Sequence, residues 1–278
     1  MPDKPASGDQ HPPMGYFRFH RRFASRFLKN ERTIAVYLPP RYAKEKTKRY
    51  SVLYLHDGQN LFDPGAAAFG VDWQAHITAD RLVNEGLIVP TILVGVYNTP
   101  QRIDEYTPHF NPVREDGGRG DEYCRFLVEE VKPFIDHQYR TLPGRDYTGV
   151  SGSSLGGLIS LAIARWKPEV FSKVGALSPS LWWVQNELFS DWESDCEWPK
   201  GTRWWLDIGT EETAKDHENK AGVERCRRLV EFWKRCGLVE GKDFRFQAIE
   251  GGRHTESAWA ARFDQVLTFL FGVERLER

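Results

Sequence analysis

The chain has 278 residues, 40% of them hydrophobic, and a mean hydropathy of −0.55, which excludes a membrane-embedded or a disordered chain and leaves a globular protein. Lys and Arg number 38 against 39 Asp and Glu, a formal charge of −1, so there is no basic surplus of the kind that holds a nucleic-acid backbone or an anionic membrane. The length allows one domain or two, and the ten tryptophans are a residue type often placed where flat rings or acyl groups are gripped.

In chain order, Met1 to Gly15 is rich in Pro, Asp and His and lacks the apolar core of a secretory signal. It reads as a disordered leader on a chain that stays in the cytoplasm. Apolar, β-branched runs then recur at Thr33–Leu38, Tyr50–His56, Val89–Tyr97, Asp146–Val150, Val174–Leu177, Trp204–Ile208 and Phe244–Ile249, each bounded by turn residues, and these read as strands. Helical patterns fall at Val71–Asn84, at Asp121–His137 with a kink expected at Pro133, at Leu155–Trp166, at Val223–Cys236 stopped by Gly237, and at Ser257–Phe271 stopped by Gly272. The longest apolar stretch, Ile88–Tyr97, contains Pro90 and is too short to span a bilayer. Cys124, Cys196, Cys226 and Cys236 form no CxxC pair and have no histidines at metal-ligand spacing, so free thiols are expected and no metal. Strands alternating with helices predict a mostly parallel sheet with helices on both faces and an antiparallel edge from the early strands. With no linker or repeat, one α/β domain is expected over residues 16–278.

The chemistry centres on Gly149-Val150-Ser151-Gly152-Ser153-Ser154-Leu155-Gly156-Gly157, in which only Ser154 has glycine at both ±2. A strand runs into this G-x-S-x-G and a helix runs out of it, the setting of the nucleophile elbow of an α/β-hydrolase. A serine hydroxyl needs a base that is itself oriented by a carboxylate, and in this fold the order is Ser, acid, His. His217 and His254 are the histidines downstream of Ser154. His254 follows the last strand and is taken as the base, whereas His217, among Asp216, Glu218 and Asn219, reads as a solvated residue at a helix start. The acid should follow the preceding strand, where Glu211, Glu212 and Asp216 are all candidates. Backbone donors for the oxyanion are expected from Leu155, just after the nucleophile, and from Gln59 in the loop His56-Asp57-Gly58-Gln59-Asn60-Leu61-Phe62-Asp63.

With the elbow, His254 and the HDGQNLFD loop in place, the chain resembles an esterase family of α/β-hydrolases that groups enterochelin, feruloyl and acetylxylan esterases, S-formylglutathione hydrolases and mycolyltransferases. The likeness runs from about Thr33 to Phe271, through YLHDGQNLFD, NTPQRIDEYTP, GSSLGGL, SPSLWW, DIGTEE and GGRHTESAW. It implies Ser154 as nucleophile, His254 as base, Gln59 and Leu155 as oxyanion donors, and, by the match of Gly209-Thr210-Glu211-Glu212 to a GT-x-D stretch, Glu212 as acid. It implies no cofactor and a small-molecule ester as partner, and leaves the oligomeric state open. Arg102 and Glu105 fall in a shared stretch, to anchor a loop by ion pairing or to touch substrate. Trp182 and Trp183 fall where relatives build the pocket wall, and Trp259 lies just over a turn beyond His254. These tryptophans favour an ester with a bulky or aromatic group. A siderophore trilactone esterase and an acyltransferase with the same triad are the competing readings.

Overall fold

The parallel α/β architecture is realised in the computed structural model, which describes residues 12–196 and 198–273. Eight strands, β1 (Tyr16–Ala24), β2 (Glu31–Leu38), β3 (Ser51–His56), β4 (Thr91–Val96), β7 (Thr148–Ser153), β8 (Lys173–Leu177), β9 (Arg203–Gly209) and β10 (Phe244–Ile249), form one sheet in the order β1-β2-β4-β3-β7-β8-β9-β10. β1 and β2 make the antiparallel edge, and every pairing from β4 to β10 is parallel. A short hairpin, β5 (Phe110–Asn111) and β6 (Asp116–Gly117), stands apart. The helices are α1 (Ala75–Asn84), α2 (Arg102–Glu105), α3 (Gly120–Arg125), α4 (Lys132–Gln138), α5 (Leu155–Trp166), α6 (Gln185–Trp192), α7 (Asp216–Arg235), α8 (Glu256–Ala260) and α9 (Phe263–Phe271).

Helices cover both faces, which is why β3, β4 and β7 are buried along their whole length. The two-residue period of a strand sends alternate side chains to different cores: Trp204 joins Val52, Tyr54 and Val150 under α5 and α7, while Trp205 joins Leu53, Leu55 and Leu93 under α1 and α9. None of the described helices is long and apolar enough to cross a membrane.

Several elements differ from their expected form. The run Asp121–His137 is α3 and α4 joined by a π-helical stretch, Phe126–Val131, just before Pro133; a proline without an N–H disturbs the ladder behind it, and the wider turn absorbs the disturbance. The last helix divides into α8 and α9. α7 starts seven residues early, at Asp216 rather than Val223, because its first two turns are polar and are supported by Asp216 and Glu218 at the positive end of the helix dipole rather than by an apolar face. β1 went unanticipated because a bulge between His20 and Phe23 breaks its alternation.

The expectation of four free thiols is corrected. Cys196 and Cys236 form a disulfide, while Cys124 and Cys226 are buried and free. A reducing cytoplasm keeps thiols free, so the disulfide departs from what the expected cytoplasmic setting implies. Of the leader, residues 1–11 lie outside the described residues; Asn84 donates to the Pro13 carbonyl, and the Gly15 amide donates to Tyr37 Oη and Asp80 Oδ2.

Candidate active site

Ser154 stands between β7 and α5 with φ 58° and ψ −125°, a backbone conformation that costs energy for any residue with a Cβ. The flanking glycines make it attainable. A Cβ on Gly152 would lie 2.9 Å from the carbonyl carbon of Gly156, so incoming strand and outgoing helix touch backbone to backbone. Ser154 is further pinned by its N–H to the Leu177 carbonyl (3.0 Å) and its own carbonyl to the Ser180 N–H (3.1 Å). Its Oγ lies 3.3 Å from Ser180 Oγ and makes no hydrogen bond to His254.

The loops after β9 and β10 are zipped together by the bonds Thr210 N–H to Ile249 carbonyl and Glu211 N–H to Gly252 carbonyl, each 3.0 Å. This brings Glu212 and His254 into contact, with His254 Nδ1 donating to Glu212 Oε2 at 2.5 Å. The other acid candidates are placed elsewhere: Asp216 pairs with Lys220 at 2.7 Å, and Glu211 is exposed. The second oxygen of Glu212 accepts from Ser178 Oγ (2.5 Å) and from the Gly209 N–H (2.8 Å). Burial alone would raise the Glu212 pKa, but the bonds from His254, Ser178 and Gly209 outweigh it and hold the carboxyl below its ordinary range. Ser178, buried and at φ 44°, in turn accepts from Trp259 Nε1 (3.0 Å) and Arg262 Nη2 (2.7 Å). Arg262 pairs with the fully buried Asp207 at 2.8 Å. The Trp259 ring stands edge-on to His254, centroids 4.8 Å apart, so this tryptophan braces the histidine from a buried position.

The loop after β3 packs directly on the first turn of α5: a Cβ on Gly156 would meet the His56 Cβ at 3.2 Å and Asp57 Oδ2 at 3.4 Å. Asp57 is left-handed, φ 54°. It is held by both arms of Arg102 (2.7 and 2.8 Å) and by Asn98 Nδ2 (2.6 Å). Gly58 passes so close to β4 that a Cβ would fall 2.5 Å from the Gly95 carbonyl carbon. Among the described residues, neither the Gln59 nor the Leu155 N–H has a hydrogen-bond partner, which leaves two amide donors beside the elbow. Arg102 is thus committed to Asp57, and Glu105 pairs with the buried Arg32 at 2.8 Å, so both members of the shared stretch are ion-paired, though not to each other.

A cavity of about 720 Å³ opens beside Glu212 and His254, bordered by Trp182, His217 and Arg225. Trp182 is 48% exposed and lines it. Trp183 is buried, with Nε1 donating to the His109 carbonyl, and is part of the scaffold rather than a pocket wall. His217, expected to be merely solvated, borders the cavity. Among the described residues, no three His, Cys, Asp or Glu side chains gather as a metal site.

A family model described as "Putative esterase" matches residues 25–270. The chain belongs to that esterase family. The esterase is 26% identical over 251 residues to the uncharacterized protein YbbA of Bacillus subtilis, covering 88% of this chain and 94% of that one. It is 27% identical over 243 residues to an endo-1,4-beta-xylanase/feruloyl esterase of Xylanibacter ruminicola, covering 86% of this chain but 29% of the relative's length. To the iron(III) salmochelin esterase of Escherichia coli O6:H1 it is 27% identical over 195 residues, 64% of this chain and 42% of the other. Among solved structures, the BES protein of Bacillus cereus superposes with a TM-score of 0.71 at 20% identity, covering 98% of this chain and all of that one. An IroE-like serine hydrolase from Shewanella oneidensis superposes with a TM-score of 0.71 at 22% identity, covering 90% and 79%. The esterase is a carboxylic ester hydrolase on the α/β-hydrolase fold.

Ser154, Glu212, His254, Gln59 and Leu155 are candidates readable in the sequence, whereas the residues that hold them here are not: Ser178, Ser180, Asp57 and the Asp207–Arg262 pair. Ser178 and Ser180 sit in SPSLWW, a stretch read for its tryptophans. Glu256, two residues past His254, also escaped notice; buried, it accepts from Asn60 Nδ2 (2.8 Å) and Trp73 Nε1 (2.6 Å). It ties the histidine segment to the loop that carries Gln59.

Proposed function

We propose that this esterase cleaves small-molecule carboxylic esters through an acyl-enzyme on Ser154. Ser154 Oγ attacks the ester carbonyl as His254 takes its proton, Glu212 holds the imidazole and its developing charge, and the Gln59 and Leu155 N–H groups receive the oxyanion. His254 then returns the proton to the leaving alcohol oxygen, the acyl group stays on Ser154, and water, activated by the same histidine, releases the acid. For this, Ser154 Oγ exchanges its contact with Ser180 for one with His254 as substrate binds. The route uses side chains and backbone amides alone, so it needs no cofactor, and it treats residues 16–278 as a single catalytic domain.

The observation that carries the reading is the strained Ser154 at the start of α5 on the same rim as the 2.5 Å His254–Glu212 bond. Ser154→Ala should lower hydrolysis of 4-nitrophenyl acetate by at least about 10³-fold; near-normal turnover by that variant removes Ser154 from the role. Glu212→Gln should cost far more rate than Glu211→Gln or Asp216→Asn, and the reverse ranking reassigns the acid. Half-exposed Trp182 at the cavity, together with relatives named for feruloyl and salmochelin esters, supports a substrate with a ring or similar bulk.

A further inference from the structure

Buried guanidinium groups are costly unless paired, and among the described residues the buried Arg32 and Arg262 and the partly buried Arg102 are paired. Arg32 meets Glu105 at 2.8 Å, Arg102 meets Asp57 at 2.7 Å and Arg262 meets Asp207 at 2.8 Å. Arg225 breaks the pattern. It is half-buried on α7 and borders the cavity beside His254, and among the described residues no carboxylate lies within ion-pair reach of it. Its Nε donates to Gln185 Oε1, which uses one of its five N–H donors and none of its charge. Burial lowers the Arg225 pKa, whereas at Arg32 and Arg102 the same burial is outweighed by Glu105 and Asp57. The acidic side chains that share the cavity are already engaged: Glu212 with His254, Ser178 and Gly209, and Glu218 with Lys215 at 2.8 Å. On α7, His217, Ala221 and Arg225 fall at four-residue spacing and so on one face, with the small Ala221 and Gly222 keeping the wall low between the two larger side chains. Trp182 presents an aromatic surface to the same space.

The cavity's position also says which half of an ester it would take. It is bordered by His254 and Glu212, while Ser154, Leu155 and Gln59 are not among its lining residues. A histidine that returns its proton to the leaving oxygen must face the alcohol half. We propose that this cavity receives the alcohol half of the ester and that Arg225 selects alcohols bearing an anionic group, such as a carboxylate, on a ring that lies against Trp182. The proposal rests on the assignment of Ser154 and His254 above. In the step concerned, the bond between acyl carbon and alcohol oxygen breaks, the acyl group remains on Ser154, the proton on His254 passes to the leaving oxygen, and the anionic alcohol departs past Arg225.

Four acetate esters test it, identical in acyl group and differing in charge: 3- and 4-acetoxybenzoate, each beside its methyl ester, with kcat/KM measured near neutral pH where the benzoate is ionised. In the unaltered enzyme, at least one of the acids should be preferred over its methyl ester by about tenfold, the scale of one charge-assisted hydrogen bond. In Arg225→Gln that preference should vanish because the acid's kcat/KM falls about tenfold while the methyl ester's holds within about twofold. The neutral ester thus reports on folding and on the catalytic groups in the same variant. No preference for either acid, or a preference that survives Arg225→Gln, overturns the role of Arg225. Ser154→Ala run beside it separates the two readings: if that variant still turns over the methyl esters, the catalytic assignment fails and this proposal with it.

Discussion

A hydroxyl has one proton and two lone pairs. At Ser178 both lone pairs face donors, Trp259 Nε1 at 3.0 Å and Arg262 Nη2 at 2.7 Å, so its proton is directed to Glu212 Oε1 at 2.5 Å. Neither donor can reverse, since an indole N–H and a guanidinium only donate. Ser178 is therefore a positioning residue that favours the ionised form of Glu212 and fixes the oxygen facing away from His254. Ser178→Ala should lower kcat by about tenfold with little change in KM, the scale of a hydrogen bond to a charged group. Ser178→Gly should lose as much, because it relieves the φ of 44° without restoring the hydroxyl. The pH profile gives a second readout. The folded Glu212 is held below its ordinary pKa, so its charge is present at neutral pH and is lost as pH falls through the folded value. Without the Ser178 donor that value rises, and the acidic limb of kcat should move to higher pH. Full kcat in both variants with an unmoved profile would show that the hydroxyl only fills space. No local pattern could have announced this role, since the partners of Ser178 come from the ends of β9, α8 and α9.

The helices and strands show where sequence pattern carries information and where it stops. β10 and α5 have the bounds expected of them because each stands between strong turn signals and is apolar throughout or on one face. α7 was half-legible: Val223, Cys226, Leu229, Val230 and Trp233 mark its buried face, but its first two turns are polar. α6 and the following loop gave no periodic signal. What fixes them is long-range: Trp192, Trp198, Trp204 and Trp233 form a buried ring cluster with neighbouring centroids 5.0 to 5.7 Å apart, and the Cys196–Cys236 disulfide closes the same region to the end of α7 across 40 residues. Much of the tryptophan surplus is thus core rather than site. Chain-entropy reasoning gives a cross-link over such a loop about 3–4 kcal/mol, and the packed cluster should keep the fold together without it. Reduction, or Cys196→Ser, should therefore lower the thermal midpoint by several degrees while leaving ester turnover at moderate temperature intact. An unchanged midpoint after reduction counts against the cross-link in solution.

At the scale of the whole molecule, the proposed site lies where parallel strands end: the loop with Gln59 follows β3, Ser154 follows β7, Glu212 follows β9 and His254 follows β10. Chain order and strand order therefore make these candidates legible from sequence, while the sheet's own accommodation of a polar group at its centre is not. His56 ends β3 between β4 and β7, fully buried, with Nδ1 2.9 Å from Tyr123 Oη. Burial pushes its pKa down to about 3 from an ordinary 6.5, with Asp57 opposing and Arg102 assisting. The unfolded chain takes up a proton on this histidine below pH 6.5 and the folded one does not, so the stability it contributes is complete above 6.5 and is lost as pH falls toward 3. The slope is about 1.4 kcal/mol per pH unit within that window, amounting to about 4 kcal/mol at its acid end. His20 and His76, also lowered by burial, act in the same direction. Urea unfolding followed from pH 7 to pH 4 should show stability falling with acidity. His56→Asn, which places an amide where Nδ1 meets Tyr123, should flatten that fall by close to one proton's worth even if it lowers stability at neutral pH. An identical slope in the variant would mean that His56 is protonated in the folded chain, and that Tyr123 and the Gly156 turn packed on it tolerate a charge at the base of the Gln59 loop.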